Sequence, residues 1–140
     1  MPQTKELIIK GIIQIPQSEA VLLLEAGNLL GQMGKFKEAS DIFTGVASLI
    51  PHSDVPCVLL GNLYFSQNKL SQALKEHHRA LERNPESSLA QAHIGEILLF
   101  QKKFDEGIAA LNKAVEMDPK GLPAEFARGL LKAQKQQLFK

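Results

Sequence analysis

Gly27, Gly61, Gly95 and Gly129 each stand 34 positions after the one before. Pro51, Pro85 and Pro119 keep the same period, and small residues recur with it at Ala39, Ala73 and Gly107. A chain that repeats itself at this length folds as a stack of like units, because no unit can bury its apolar face alone. Function is then expected in a surface made by stacking rather than in a catalytic pocket.

One unit can be read in detail between Asp54 and Pro85. Ser53 or Asp54 can cap a helix, Pro56 falls in the first turn where its missing N–H does no harm, and apolar residues run from Val55 to Phe65. Ser66, Gln67 and Asn68 break the pattern. A second helix starts near Leu70, carries Leu70, Ala73, Leu74, His77, Ala80 and Leu81 at spacings of three and four, and stops at Asn84-Pro85. The first unit turns at Gly31 to Gly34 and places Phe36, Ala39, Phe43, Val46 and Leu49 inward. The third begins at about Ser87, a good helix cap, turns at Gln101 to Lys103, and uses Phe104, Ile108, Leu111, Ala114 and Val115.

The pattern predicts an all-α solenoid of three helix-turn-helix units, at 18–51, 52–85 and 86–119. Residues 1–17 are expected to hold a short N-terminal helix, about Thr4 to Gln14. Residues 120–140 are expected to hold a C-terminal capping helix, roughly Leu122 to Leu138, with Gly129 in phase. Glycine in a helix interior is about 1 kcal/mol worse than alanine, so its recurrence at one mid-helix site needs a packing reason. Close approach of paired helices supplies one for Gly27, Gly61 and Gly95, and Ala39 and Ala73 would accept the same contact from the other side.

These residues resemble the tetratricopeptide repeat, a 34-residue helix-turn-helix with small residues at positions eight, twenty and twenty-seven, large ones at eleven and twenty-four, and proline at thirty-two. Those sites read Gly27, Leu30, Ala39, Phe43, Val46 and Pro51, then Gly61, Tyr64, Ala73, His77, Ala80 and Pro85, then Gly95, Leu98, Gly107, Leu111, Ala114 and Pro119. The family's common tryptophan at position four is replaced by Leu23, Cys57 and Gln91, and His77 stands in for a bulky apolar residue.

The resemblance implies a right-handed superhelix whose first helices line a concave groove through positions two, five, nine, twelve and thirteen. The binding residues it implies are Val21, Leu24 and Asn28, then Val55, Val58, Asn62 and Phe65, then Leu89, Ala92, Glu96, Leu99 and Phe100. Such a groove is mainly apolar, too large a patch for a monomer to leave bare. Two occupants are open: an amphipathic helix of a client protein, or the chain's own last helix through Phe126, Leu130 and Leu131. The family's clamp for acidic chaperone C-termini uses lysine, asparagine and arginine, whereas the matching sites are Leu24, Asn28, Leu59, Leu89 and His93, so that use is discounted.

Three repeats between a short leading and a trailing segment, with an apolar groove, also resemble the repeat-containing chaperones of bacterial type III secretion. That resemblance implies a protein client, held by an amphipathic or hydrophobic helix before export. A scaffold for assembling another complex is the alternative. The leading segment, through Ile8, Ile9, Ile12 and Ile13, would cap the first unit, mediate self-association or bind a small co-chaperone.

Composition excludes other classes. The 16 basic residues against 15 acidic ones favour neither nucleic acid nor an anionic membrane as partner. Lys132, Lys135 and Lys140 read as a solvated outer face. No apolar run reaches the roughly 18 residues of a membrane span, and the start has charges on both sides of its apolar stretch and no small-residue cleavage site, so a cytoplasmic location is the default expectation.

No glycine-rich phosphate loop, paired acid and base, or nucleophile elbow appears, so neither an enzyme nor a cofactor is expected. Of the histidines, His52, His77, His78 and His93, the adjacent pair point about 100° apart on a helix, and no cysteine or carboxylate set completes a metal site. His77 is expected between helices with one ring nitrogen satisfied, His78 in solvent, and the lone Cys57 as a small buried thiol.

Overall fold

Each unit reverses on a residue in the left-handed region: Gly34 (φ 80°), Asn68 (φ 59°) and Lys102 (φ 64°). The following N–H then bonds back five residues, from Lys35 to Leu30, Lys69 to Tyr64 and Lys103 to Leu98, at 2.9 Å in all three. This reversal satisfies carbonyls at the end of one helix while starting the next. The computed structural model describes residues 6–9 and 13–139. Within it run α1 (Gln17–Gln32), α2 (Phe36–Leu49), α3 (Val55–Ser66), α4 (Leu70–Arg83), α5 (Ser88–Phe100), α6 (Phe104–Met117) and α7 (Leu122–Lys135).

Successive helices pack as antiparallel neighbours, and α7 also lies on α5. Ser87 caps α5, its Oγ accepting from the Ala90 N–H at 3.3 Å. The Asp54 side chain makes no capping bond, and Ser53 Oγ instead accepts from the Val55 N–H at 3.2 Å.

The mid-helix glycines lie where backbones close on side chains. A Cβ at Gly27 would sit 2.5 Å from Phe43 Cε1, at Gly61 2.6 Å from His77 Nε2, and at Gly95 2.5 Å from Leu111 Cγ. Phe43, His77 and Leu111 are thus knobs, 16 positions on from their glycine, seated where no other residue leaves room. Phe43 and Leu111 are fully buried, and each contributes about 1.5–3 kcal/mol by leaving water.

Core clusters cross the unit boundaries. Ala20, Leu24, Phe43 and Val46 meet Leu60 and Leu63 of the next unit, and Cys57, Val58 and Ala80 meet Ala90. Arg83 adds a polar tie between units: its guanidinium donates to the carbonyls of Ala47 (3.0 Å), Ile50 (3.5 Å) and Ser53 (3.2 Å), at and beyond the end of α2.

The leading segment departs from the expected helix. Residues Glu6–Ile9 (β1) and Ile13–Pro16 (β2) pair antiparallel, with Glu6 opposite Pro16 and Ile9 opposite Ile13. Residues 4, 5 and 10–12 of that expectation lie outside the described residues. The sequence explains the strands: Ile8, Ile9, Ile13 and Ile15 are β-branched, stiff at χ1 and favoured on a pleated surface, and Gly11 is a poor helix former. At the other end α7 stops at Lys135, short of the expected Leu138.

Candidate functional site

The twelve residues expected to line the groove divide by register. Position two of each first helix is open: Val21 is 46% exposed, Val55 45% and Leu89 41%. Because they stand 34 residues apart on α1, α3 and α5, they form one apolar line across the three units. Position nine is polar, with Asn28 exposed and Asn62 and Glu96 half-buried. At the far end Phe65 and Phe100 meet edge to face, ring centroids 5.2 Å apart, with Phe100 49% exposed.

Position five behaves differently. Leu24, Val58 and Ala92 are buried, and so is Leu99. Leu24 and Val58 belong to the clusters that join neighbouring units. Ala92 and Leu99 lie with Leu111, Ala114 and Ala127 under Phe126, Leu130 and Leu131 of α7. The chain's last helix therefore covers Ala92 and Leu99 of the third unit, while the Val21, Val55, Leu89 and Phe100 side chains stay exposed, where a partner can reach them. Leu24, Val58, Ala92 and Leu99 are not available to one without unpacking the stack.

A polar group lies behind Glu96. His93 Nδ1 stands 3.0 Å from Glu96 Oε1, the His93 ring stacks on His77 (4.9 Å, 24°), and its other side meets Phe126 at 5.4 Å. His77 is fully buried and neither ring nitrogen has a hydrogen-bond partner, so the expectation of one satisfied nitrogen is corrected. The knob site opposite Gly61 is apolar, and it admits the ring but supplies no donor or acceptor. Burial, reinforced by His93 and His78, pushes the His77 imidazole down from its usual 6.5 to about 3, so the ring is neutral at pH 7.

Chemistry of other kinds finds little support. Burial raises the Cys57 pKa against the pull of Arg83 and Arg79, which leaves a protonated, inert thiol. Among the described residues no three or more His, Cys, Asp or Glu side chains converge as metal ligands. Among the described helices none is long and apolar enough to cross a membrane.

Sequence reasoning did not single out the outer side of α1. Leu22, Leu29 and Met33 are exposed there, with Ala26 between them at helical spacing. Their signal was present in the all-round apolar character of VLLLEAGNLL, which one helix partner cannot cover.

Residues 58–121 match the family model described as tetratricopeptide repeat. No curated protein matches the chain. Among solved structures, the Yersinia enterocolitica type III secretion translocator chaperone SycD superposes with a TM-score of 0.77 at 17% identity, covering 85% of this chain and 92% of that one. The first repeat domain of Spaghetti (RPAP3), bound to the HSP90 peptide SRMEEVD, gives 0.73 at 23% identity over 90% of this chain and 98% of that one. The first repeat domain of human RPAP3 gives 0.74 at 24%, over 85% and 91%. At these identities the likeness is one of fold. With the family match, the 34-residue register and the helical hairpins seated on their glycines, residues 58–121 are tetratricopeptide repeats and the rest of the helical stack shares their fold.

Proposed function

We propose that this protein binds another protein chain, receiving an amphipathic helix of a client along the concave face, and that it serves as a chaperone of the type III secretion class in the cytoplasm. The observation that carries the reading is the open apolar line Val21, Val55 and Leu89, prolonged by Phe100. A solvated monomer gains nothing from three like apolar residues in register, whereas an apolar helix face laid across them buries all three. Asn28, Asn62 and Glu96 then offer hydrogen bonds that set its register. The fold shared with SycD supports the narrower class.

The acidic-tail use suggested by the peptide-bound RPAP3 domain is disfavoured by the same surface. At the sites where a clamp needs cations, Leu24 is buried, Leu89 is open and apolar, and His93 is engaged by Glu96, while the half-buried Leu59 stands where the clamp has an asparagine. A terminal carboxylate would be desolvated there beside Glu96. A scaffold role is the second reading, favoured by the exposed outer face of α1 at Leu22, Leu29 and Met33.

Affinity capture from the native cells tests the proposal, with Leu89→Asp and Val55→Asp as probes because both side chains are already in water. A short, helix-prone exported protein held by the wild type and lost from both variants, at unchanged circular dichroism, is the expected result. Capture of a large complex that ignores both substitutions and is lost on Leu29→Asp would transfer function to the outer face of α1.

A further inference from the structure

After Lys135 the chain does not run off into solvent. Gln137 enters the left-handed region (φ 59°), its N–H bonds to the Gln134 carbonyl at 2.9 Å, and the Leu138 N–H bonds back five residues to Ala133 at 3.0 Å. This is the same reversal that joins the two helices of each unit. In the units it launches a second helix; here it turns Leu138 and Phe139 back over the third unit.

Phe139 lies half-buried against the Leu99 and Leu111 cluster, with its ring edge-on to Phe100 at 5.3 Å. Phe65, Phe100 and Phe139 therefore form a file of aromatic contacts that begins in the second unit and ends on the tail. The seat is loosely filled. A cavity of about 190 Å³ stays open between Leu99, Phe100, Lys102, Leu138 and Phe139, and Leu138 is 68% exposed.

We infer that the tail Leu138–Phe139 is an internal occupant of the groove's third-unit end, which a client displaces with an aromatic or large aliphatic side chain of its own. This rests on the groove reading above. Phe139 covers one side of the Phe100 ring while no client is bound, and its departure bares that side and widens the cleft the two rings border. A closed tail lowers client affinity by the fraction of molecules in which it is open.

The test compares the full chain, a chain ending at Gln136 and the full chain carrying Phe139→Ser, with anilinonaphthalene sulfonate as the probe of accessible apolar surface. The expected result is dye emission several-fold higher in both altered chains, unchanged far-ultraviolet circular dichroism and a nearly unchanged melting midpoint, with the rise removed by adding Phe100→Ser. Equal emission in all chains would overturn the inference. So would a rise that survives Phe100→Ser, or a broad non-cooperative melt in the Phe139→Ser chain, which would make the tail part of the core. Client capture by Leu89→Asp reports on the groove and the dye reports on the tail, so the two readings fail separately.

Discussion

Lowering the pH should loosen this protein through one side chain. His77 is held neutral, with a pKa of about 3 in the fold against 6.5 outside it. The sign follows from proton uptake: between these values the unfolded chain binds a proton that the folded chain refuses, so stability is present above 6.5 and lost as the pH falls. Each unit of that difference is worth about 1.4 kcal/mol. At pH 5 the unfolded ring is about 1.5 units below its pKa, so the loss is about 2 kcal/mol, rising to about 5 kcal/mol once both states are protonated. The groups around the ring do not relieve it. His93 stacks on it and is itself engaged by Glu96, His78 lies next to it on α4, and Gly61 of α3 lies against the ring. Carboxylates elsewhere also titrate, so the comparison needs a partner variant. Leu111 occupies the equivalent knob site opposite Gly95, which makes His77→Leu the natural one. It should stabilise the protein at pH 7.5 by about 1–3 kcal/mol, because two unpartnered buried nitrogens disappear. Urea unfolding at pH 7.5 and 5.0 measures both effects. The wild type should lose about 2 kcal/mol more than His77→Leu across that interval. Equal losses, or a His77 ring proton that titrates between pH 7 and 5 in the folded protein, would refute the reasoning.

The repeated glycines should separate by sign in thermal melts. Gly61→Ala forces a Cβ to 2.6 Å from His77 and should cost about 1–3 kcal/mol, while Gly129→Ala, on a helix face where a Cβ meets nothing within 4 Å, should stabilise by about 0.5–1 kcal/mol. Arg83→Ala removes the donor shared by three carbonyls at the end of α2 and should cost about 1–3 kcal/mol in urea unfolding, with Arg83→Lys recovering only part of it. Val58→Asp should abolish cooperative unfolding whereas Leu89→Asp should leave the melt within about 0.5 kcal/mol of wild type, since one side chain is buried and the other open.

The helical hairpins were legible because their determinants are local and repeated: a glycine, its knob 16 residues on, a turn and a proline recur three times in step. The leading segment had no such support. LIIKGII is a short apolar run without a clear period, and such runs do not distinguish helix from strand, so its β-branched composition decided the outcome. The shared register and exposure of Val21, Val55 and Leu89 followed from the same repeat as the hairpins. The burial of Leu24, Val58, Ala92 and Leu99 was not legible, because the next unit covers the first two and α7 the others, and both depend on packing between units. His77 was misread on one point only: its burial followed from the register, but its lack of a hydrogen-bond partner depends on Gly61 and His93, which come from two other helices.

A division of labour between buried and exposed positions within each unit separates what holds the stack together from what the proposed groove offers a partner. The knobs Phe43, His77 and Leu111 point into glycine notches, and Leu24 and Val58 point into the next unit, so changing any of them acts on the stability of the stack. Val21, Val55 and Leu89 make the apolar line without belonging to any of the buried clusters, and can change with the partner alone. Leu24 and Val58 lie three residues beyond Val21 and Val55 on the same helices, about 300° around the axis, and therefore close together on neighbouring flanks of one face. A client helix laid along the open set would rest directly against the buried one, so its binding would be expected to tighten the joints between units as well as fill the groove. Stability in such a stack is the sum of its units and their joints. On the proposed reading, a partner that bridges Val21, Val55 and Leu89 would act on both joints between the three units at once, which a peptide held in one unit cannot do.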